Sequence, residues 1–317
     1  MSRRILGVDI GGTSIKLGAI LVEERPRVVA KDVVEAPASR DPGSALDETA
    51  ASLERLVARA GWPRAEGVGV GCAGLVRRDG TLAYSPNLPG WAGVPLKDGL
   101  EMRTRLPVRV DNDANAFALA EWRWGAARGM SDVVFLTLGT GIGGAFLAGG
   151  RLVRGVSGFA GEPGHATLVL DGAPCACGNR GCAERYVGNK DLVEAARRHP
   201  EFADDALLRG LREPRDLSLA AERGSRVAAF VLAQAGRALG GLLVTLVNAF
   251  DPELVVVGGG VALAGDRLLD PARAHLAERS FVARHGAVRV AAAALGSEAG
   301  LLGTAGLVLE ESFATAG

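Results

Sequence analysis

Neither sign of charge is in excess: 36 basic and 36 acidic side chains leave a net charge of zero. That removes the electrostatic footprint expected of a protein that binds nucleic acid or an anionic membrane. An acidic ligand would have to be held locally, by backbone amides and a metal ion. Aromatic residues are scarce at 5%, beside 48% hydrophobic and 23% charged residues, the balance of a packed globular chain. Long hydrophobic runs are missing as well. The most apolar stretch, Leu239 to Val247, stops at Asn248 and Asp251 and reads as far short of a membrane span. The basic start Ser2-Arg3-Arg4 leads into an apolar run broken at Asp9 and Gly11-Gly12, too soon for a secretory signal, so a cytoplasmic location is expected. There is no G-x-x-x-x-G-K-[ST] loop and no low-complexity linker.

The 317 residues are too many for one ordinary core and suit two domains of about 150 residues each. Glycine is abundant at 45 residues, much of it clustered at the ends of apolar segments. Ile5–Ile10, Ile15–Val22 and Val28–Val34 read as a meander of three strands around a Gly-Gly-Thr turn. Residues 45–60 carry apolar side chains at helical spacing and stop at Gly61. Gly67–Val76 and Val108–Asp111 read as strands, Asn112–Ala127 as a helix, residues 223–250 as a long helix, Leu254–Val257 as a strand and Leu301–Phe313 as a closing helix. Laid over one another, ILGVDIGGTSIKLGAI (5–20) and VVFLTLGTGIGGAFLA (133–148) share one rhythm of strand, Gly/Thr turn, strand. A repeated unit of this size predicts two similarly folded α/β halves, with a boundary expected near residue 117.

Three glycine turns each follow an apolar strand: 9–13, 138–144 and 258–260. Successive amides in such turns can nest around a phosphate. Thr13 and Thr140 could add hydroxyl donors, and Asp9 could hold the water shell of a Mg²⁺ ion that bridges phosphates. Any one of the turns could be a plain hairpin. Gly139–Gly144 matches G-x-G-x-x-G, but the run continues extended through Ala145–Leu147 and opens no helix, so a dinucleotide fold is excluded along with the P-loop. Together the three turns favour a nucleotide gripped between two domains. At Asp111-Asn112-Asp113-Ala114-Asn115 a strand gives way to a helix, which places carboxylates at a strand's carboxyl end. One of these residues is expected to cap the helix, and a carboxylate there could act as general base. Spacing alone does not say which.

Only four cysteines occur; Cys72 stands alone in an apolar strand and reads as core. Cys175, Cys177 and Cys182 lie within eight positions, with His165 ten residues upstream. One imidazole and three thiolates make a closed, structural zinc set. A disulfide would leave one thiol over. Glu162 and Glu184 flank the cluster, and carboxylates fixed there would suit bidentate contacts to vicinal sugar hydroxyls, although a solvated charge is the commoner fate of a Glu.

These motifs, in this order, resemble the ROK family of sugar kinases and repressors, and within it the bacterial glucokinases. DIGGTSIK resembles the family's first phosphate loop, VDNDANA its catalytic segment and LTLGTGIGG its second phosphate loop. GEPGH with CACGNRGCAE resembles its zinc signature, and VVVGGGV its adenosine-side turn. The resemblance implies a two-domain actin-like ATPase (ribonuclease H-like) fold, with residues 1–117 and the tail from about 300 in one domain and 118–299 in the other. It implies an ATP-dependent hexose kinase of glycolysis, with Mg-ATP and structural zinc, working as a homodimer or homotetramer. Asp113 would be the base and Asn112 would hold a sugar hydroxyl. Glu162, His165 and Glu184 would bind the sugar, with Gly74 and Asn87 nearby. Asp9, Gly11, Gly12, Thr13, Lys16, Gly139, Thr140, Gly141, Gly258 and Gly259 would serve ATP. His165, Cys175, Cys177 and Cys182 would hold the metal. Pro163 departs from the aliphatic residue often found between that Glu and Gly, which bears on the shape of the sugar pocket. N-acetylglucosamine, N-acetylmannosamine or fructose are alternative acceptors. A sugar-sensing regulator or a chaperone-like ATPase are the readings of a different class. The family's repressors resemble this chain with a helix-turn-helix domain added in front, for which a first strand starting by residue 5 is expected to leave no room.

Overall fold

The computed structural model describes residues 2–35 and 40–310. It opens with the expected meander, β1 (Arg3–Ile10), β2 (Ser14–Val22) and β3 (Arg27–Glu35). α1 (Pro42–Arg59) starts at Asp41, whose carboxylate accepts from the Ser44 amide, and gives out just before Gly61. Next come β4 (Gly67–Cys72), β5 (Leu75–Val76), β6 (Thr81–Tyr84), β7 (Val94–Pro95), α2 (Leu96–Thr104), β8 (Val108–Asn112) and α3 (Asp113–Trp124). The single strand read over 67–76 is broken at Gly74, whose φ of +130° is open to glycine and turns the chain out of the sheet. β9 (Val133–Leu138), β10 (Ile142–Ala148) and β11 (Arg151–Leu152) repeat the meander, followed by α4 (Glu184–Val187), α5 (Asn189–Arg197) and α6 (Pro214–Glu222). α7 (Arg226–Phe250), β12 (Leu254–Gly258), α8 (Asp266–Arg279), β13 (Arg289–Ala292) and α9 (Ala299–Leu309) complete the order. The part of the closing-helix reading that runs past 310 to Phe313 lies outside the described residues.

The chain forms two compact units. One holds the residues up to Gly129, the segment Arg154–Ala160 and the residues from Ala294; the other holds Met130–Val153 and Gly161–Ala293. The boundary expected near residue 117 falls inside α3, and the first unit runs on to Gly129. Each unit is built on a five-stranded sheet, in the order β3-β2-β1-β4-β8 and β11-β10-β9-β12-β13. Within each, the first three strands in sequence pair antiparallel and the remaining pairings are parallel. The repeat seen in the sequence is therefore a repeat of topology.

In the first unit the period-two pattern sorts side chains onto two faces. Leu6, Val8, Ile10, Val68 and Val70 join Leu46, Leu53 and Leu56 of α1 in one buried cluster. On the opposite face β1 and β4 present glycine. A Cβ on Gly69 would lie 1.8 Å from the Thr304 carbonyl oxygen of α9, and one on Gly7 would lie 2.4 Å from the Thr304 hydroxyl. α9 thus lies directly on the sheet backbone. It meets α3 as closely, since a Cβ on Gly303 would lie 1.7 Å from the Ala116 carbonyl oxygen.

In the second unit α7 is the central helix. Its 25 residues exceed the apolar run read from the sequence and are long and apolar enough, by length and composition, to cross a bilayer, which corrects that reading. Val227, Val231, Leu232, Leu239, Leu243 and Val247 instead pack it into one core with Val134, Leu136, Val255 and Val257 of the sheet and Leu268 and Leu276 of α8. The sequence understated the run because Gln234 and Arg237 interrupt the apolar stretch ahead of Leu239 without breaking the helix.

Gly303→Ala is expected to force α9 off α3, at a cost of about 1–3 kcal/mol. The denaturant midpoint will fall with an unchanged slope; an unchanged midpoint would show that the two helices are not in backbone contact.

Candidate functional site

The parallel strands of the first unit end together, with Ile10, Cys72 and Asn112 in register. Three of the sequence-predicted segments therefore collect at one carboxyl edge, where open α/β sheets bind ligands. The turn between β1 and β2 is closed by the Gly11 amide, which donates to the Ser14 carbonyl at 3.1 Å. Gly12 lies flat against the Asn87 backbone, for a Cβ there would come within 2.6 Å of the Asn87 carbonyl oxygen. Thr13 and Lys16 are exposed beside it. Asp9 stands at the end of β1 with Lys16 Nζ 3.8 Å from its carboxylate. Burial raises the Asp9 carboxyl above its usual range and Lys16 pulls it part of the way back.

The acidic segment divides its tasks. Asn112 is the helix cap: its Oδ1 accepts from the amides of Ala114 at 2.7 Å and Asn115 at 3.4 Å, while its Nδ2 donates to the Gly74 carbonyl at 2.9 Å. The oxygen of Asn112 is committed to the helix, and a hydroxyl ligand would meet its amide nitrogen alone. Asp111 is buried and ion-paired, with Arg154 Nε 2.7 Å from its Oδ2. That leaves Asp113 as the carboxylate of this segment without a cationic partner among the described residues, and it accepts from the Ala114 amide at 3.0 Å. Burial, with the neighbouring Asp9 charge second, pushes its pKa to about 6. A carboxyl so placed is half protonated near pH 6 and mostly ionised at neutrality, able to take a proton from a hydroxyl.

The second unit gathers the other predicted residues. β12 runs parallel to β9, and a Cβ on Gly259 would lie 2.3 Å from the Leu138 carbonyl oxygen, so the Gly258–Gly260 turn lies against the start of the 139–141 turn. That turn is closed by the Gly139 amide donating to the Gly141 carbonyl at 2.9 Å. Gly141 in turn abuts Glu184 of α4, whose carboxylate oxygen would be 2.2 Å from a Cβ on Gly141. Glu184 Oε1 lies 2.9 Å from Cys175 Sγ and 3.6 Å from His165 Nδ1. The far nitrogen of the imidazole, Nε2, is 4.0 Å from Glu162. His165 thus turns Nδ1 toward the sulfurs and Nε2 toward Glu162.

The four donors fit a metal. Cys177 and Cys182 sulfurs are 3.7 Å apart, His165 Nδ1 is 3.7 Å from Cys175 Sγ, and all four donor atoms fall within 4.8 Å of one another. A tetrahedron of Zn–S bonds about 2.3 Å long has edges of about 3.8 Å. Burial also raises the Cys175 and Cys182 thiols, so a cation is needed to keep them as thiolates.

What the sequence did not reveal is the buried network of Asp111, Asn115, Arg154 and Glu310 behind Asp113. A second is Glu121, buried with its carboxylate accepting the amides of Ala126, Ala294 and Leu295. Alternation along β8 sets Asp111 on the face of Arg109, opposite Val108 and Val110, so it gives no sign that Asp111 is buried, and nothing marks Arg154.

The chain is similar along nearly its whole length to proteins of known name and structure. The glucokinase of Streptomyces coelicolor is 38% identical over 96% of this chain and 97% of its own. The crystal structure of a ROK family glucokinase from Streptomyces griseus, in complex with glucose and AMPPNP, superposes with a TM-score of 0.82 at 38% identity, covering 96% of this chain and 98% of that one. The xylose repressor of Caldicellulosiruptor bescii is 30% identical over 97% of this chain and 78% of its own. Residues 5–311 match the ROK family, and the chain belongs to it, with the family's two-domain actin-like fold.

Proposed function

We propose that the chain is an ATP-dependent hexose kinase that transfers the γ-phosphoryl group to the primary hydroxyl of glucose, with Asp113 as general base. The observation that carries this reading is the pairing of a half-buried carboxyl of pKa about 6, without a cationic partner among the described residues, with the glycine turn after β1 at the same strand edge. The relatives agree: the similar proteins of known structure and name include glucokinases of near-equal length.

In this reading the sugar's hydroxyls meet Glu162, Glu184 and the Nε2 face of His165, with Asn112 Nδ2, Asn87 and Gly74 on the side of the first unit. Asp113 accepts the proton of the 6-hydroxyl as that oxygen bonds to the γ-phosphorus and the bond to the β,γ-bridging oxygen breaks, releasing ADP. The amides of Gly12, Thr13, Thr140 and Gly141, with Lys16 and the turn at Gly258-Gly259, hold the phosphates. Mg²⁺, positioned through Asp9, would supply charge neutralisation on the transferring group. Zinc held by His165, Cys175, Cys177 and Cys182 would have no open coordination position and so would brace Glu162 and Glu184 instead of reacting. The enzyme would work in the cytoplasm, where ATP is available, and as an oligomer.

Four measurements test this. A coupled ADP-release assay with Mg-ATP against hexoses and N-acetylhexosamines will show glucose-dependent turnover. Release with another hexose alone would move the acceptor, and sugar binding without release would make the chain a sensor. Asp113→Asn will keep glucose binding and lower kcat by about 10² to 10⁴; near wild-type turnover would refute the base. Because Asp113 must be ionised, kcat/KM of the wild type will fall as pH drops through about 6, and a profile flat down to pH 5 would contradict its role. Cys182→Ser will lose zinc, read by elemental analysis, and raise the sugar KM more than the ATP KM. Full zinc content in that variant would disprove the ligand set.

A further inference from the structure

Arg154 stands at the head of the short segment Arg154–Ala160 that belongs to the first unit, outside every motif legible in the sequence. Its guanidinium is largely buried and spans two carboxylates: Nε lies 2.7 Å from Asp111 Oδ2, and Nη2 lies 2.5 Å from Glu310 Oε2. The second oxygen of Asp111 faces the other way. Oδ1 accepts from the Asn112 amide at 2.8 Å and from Asn115 Nδ2 at 2.7 Å. Asn112 and Asn115 bracket Asp113 in the first turn of α3, one as its cap and the other a fully buried side chain. One oxygen of Asp111 is therefore spent on Arg154 and the other on the turn that carries the base.

A carboxylate fixed at both oxygens cannot rotate. Released from the guanidinium, it would either turn or draw its partners with it. Stability alone is a weak reason for such a pair, because the desolvation of buried charges offsets most of their attraction. Geometry is the better reason. An Arg fork can satisfy two carboxylates in one plane, which the single ammonium of Lys does not reproduce.

We infer that Arg154 is a positioning residue for the base: acting through Asp111, it holds the first turn of α3 and so the direction in which Asp113 presents its carboxylate. The inference rests on the reading of Asp113 as the base of a sugar kinase. Arg154 does not itself touch the reacting atoms.

The test compares wild type, Arg154→Lys and the Arg154→Met/Asp111→Asn variant, which neutralises the most buried pair together, so that only the more exposed Glu310 loses its Arg154 partner. Each is assayed well below its own melting temperature, with glucose binding titrated to count folded sites. The expected result is a fall in kcat of about 10-fold to 10²-fold per folded site in both variants. KM for glucose and ATP and the glucose Kd should stay close to wild type. A merely structural ion pair would lower the melting temperature and the number of folded sites while leaving kcat per site unchanged, and that outcome overturns the inference alone. A wild type that releases no ADP with any hexose overturns the kinase reading, and the inference with it.

Discussion

A half-buried carboxylate just past the end of β8 governs the design of the first unit. Charged Asp113 is costly there, because burial and the nearby Asp9 both favour its proton, and its pKa rises to about 6. Asp113 opens α3, where the helix dipole favours a negative charge and limits that rise. The cap itself is supplied by Asn112, a neutral residue. Had Asp113 been the cap, its oxygens would be tied to amides and its pKa held low. The division between a neutral cap and a charged first residue therefore leaves a carboxylate both fixed in place and basic enough to use.

That placement depends in turn on how closely backbones meet. The glycine face of β1 and β4 lets α9 lie on the sheet, and Gly303 lets α9 lie on α3. Side chains at these positions would lift α3 and open the edge to solvent, lowering the very desolvation that tunes Asp113. Packing and acidity are thus one constraint, not two. The second unit uses the same strand order for a different end. Its glycine turn abuts Glu184, which touches the Cys/His cluster, so the proposed phosphate loop and one of the proposed sugar-binding carboxylates are in direct contact.

Much of this was legible in the sequence because the signals are local. Strand, Gly/Thr turn, strand repeats within 16 residues in each half, and the antiparallel pairs β1–β2 and β9–β10 follow from it. The Cys/His spacing likewise announced a cluster of four donors. Elements of two to four residues, such as β5, β7 and β11, carry too little pattern to be read. The domain boundary escaped because α3 is apolar on both sides of residue 117, with no composition change to mark it. The network behind Asp113 escaped for another reason. Arg154 lies 43 residues from Asp111 and 156 from Glu310, and pairing at such separations exists only once the sheet is folded.

Pro163 shows how a departure from family pattern can be absorbed. Its ring is buried against Gly144 of β10, so tightly that a Cβ on Gly144 would lie 2.3 Å from the ring's Cγ. Pro163 also opens the single 3₁₀ turn that ends at His165, where its fixed φ suits the first position and its missing N–H leaves no donor unpaired. A ring pinned on glycine leaves little room for Glu162 on one side or His165 on the other to shift. In an aliphatic version of this turn the side chain could swing and the flanking groups adjust to the ligand. In the proposed reading, where Glu162 and His165 meet the sugar, both are set by the backbone before any ligand arrives, so that side of the pocket would depend less on induced fit than on the match between one proline and one glycine.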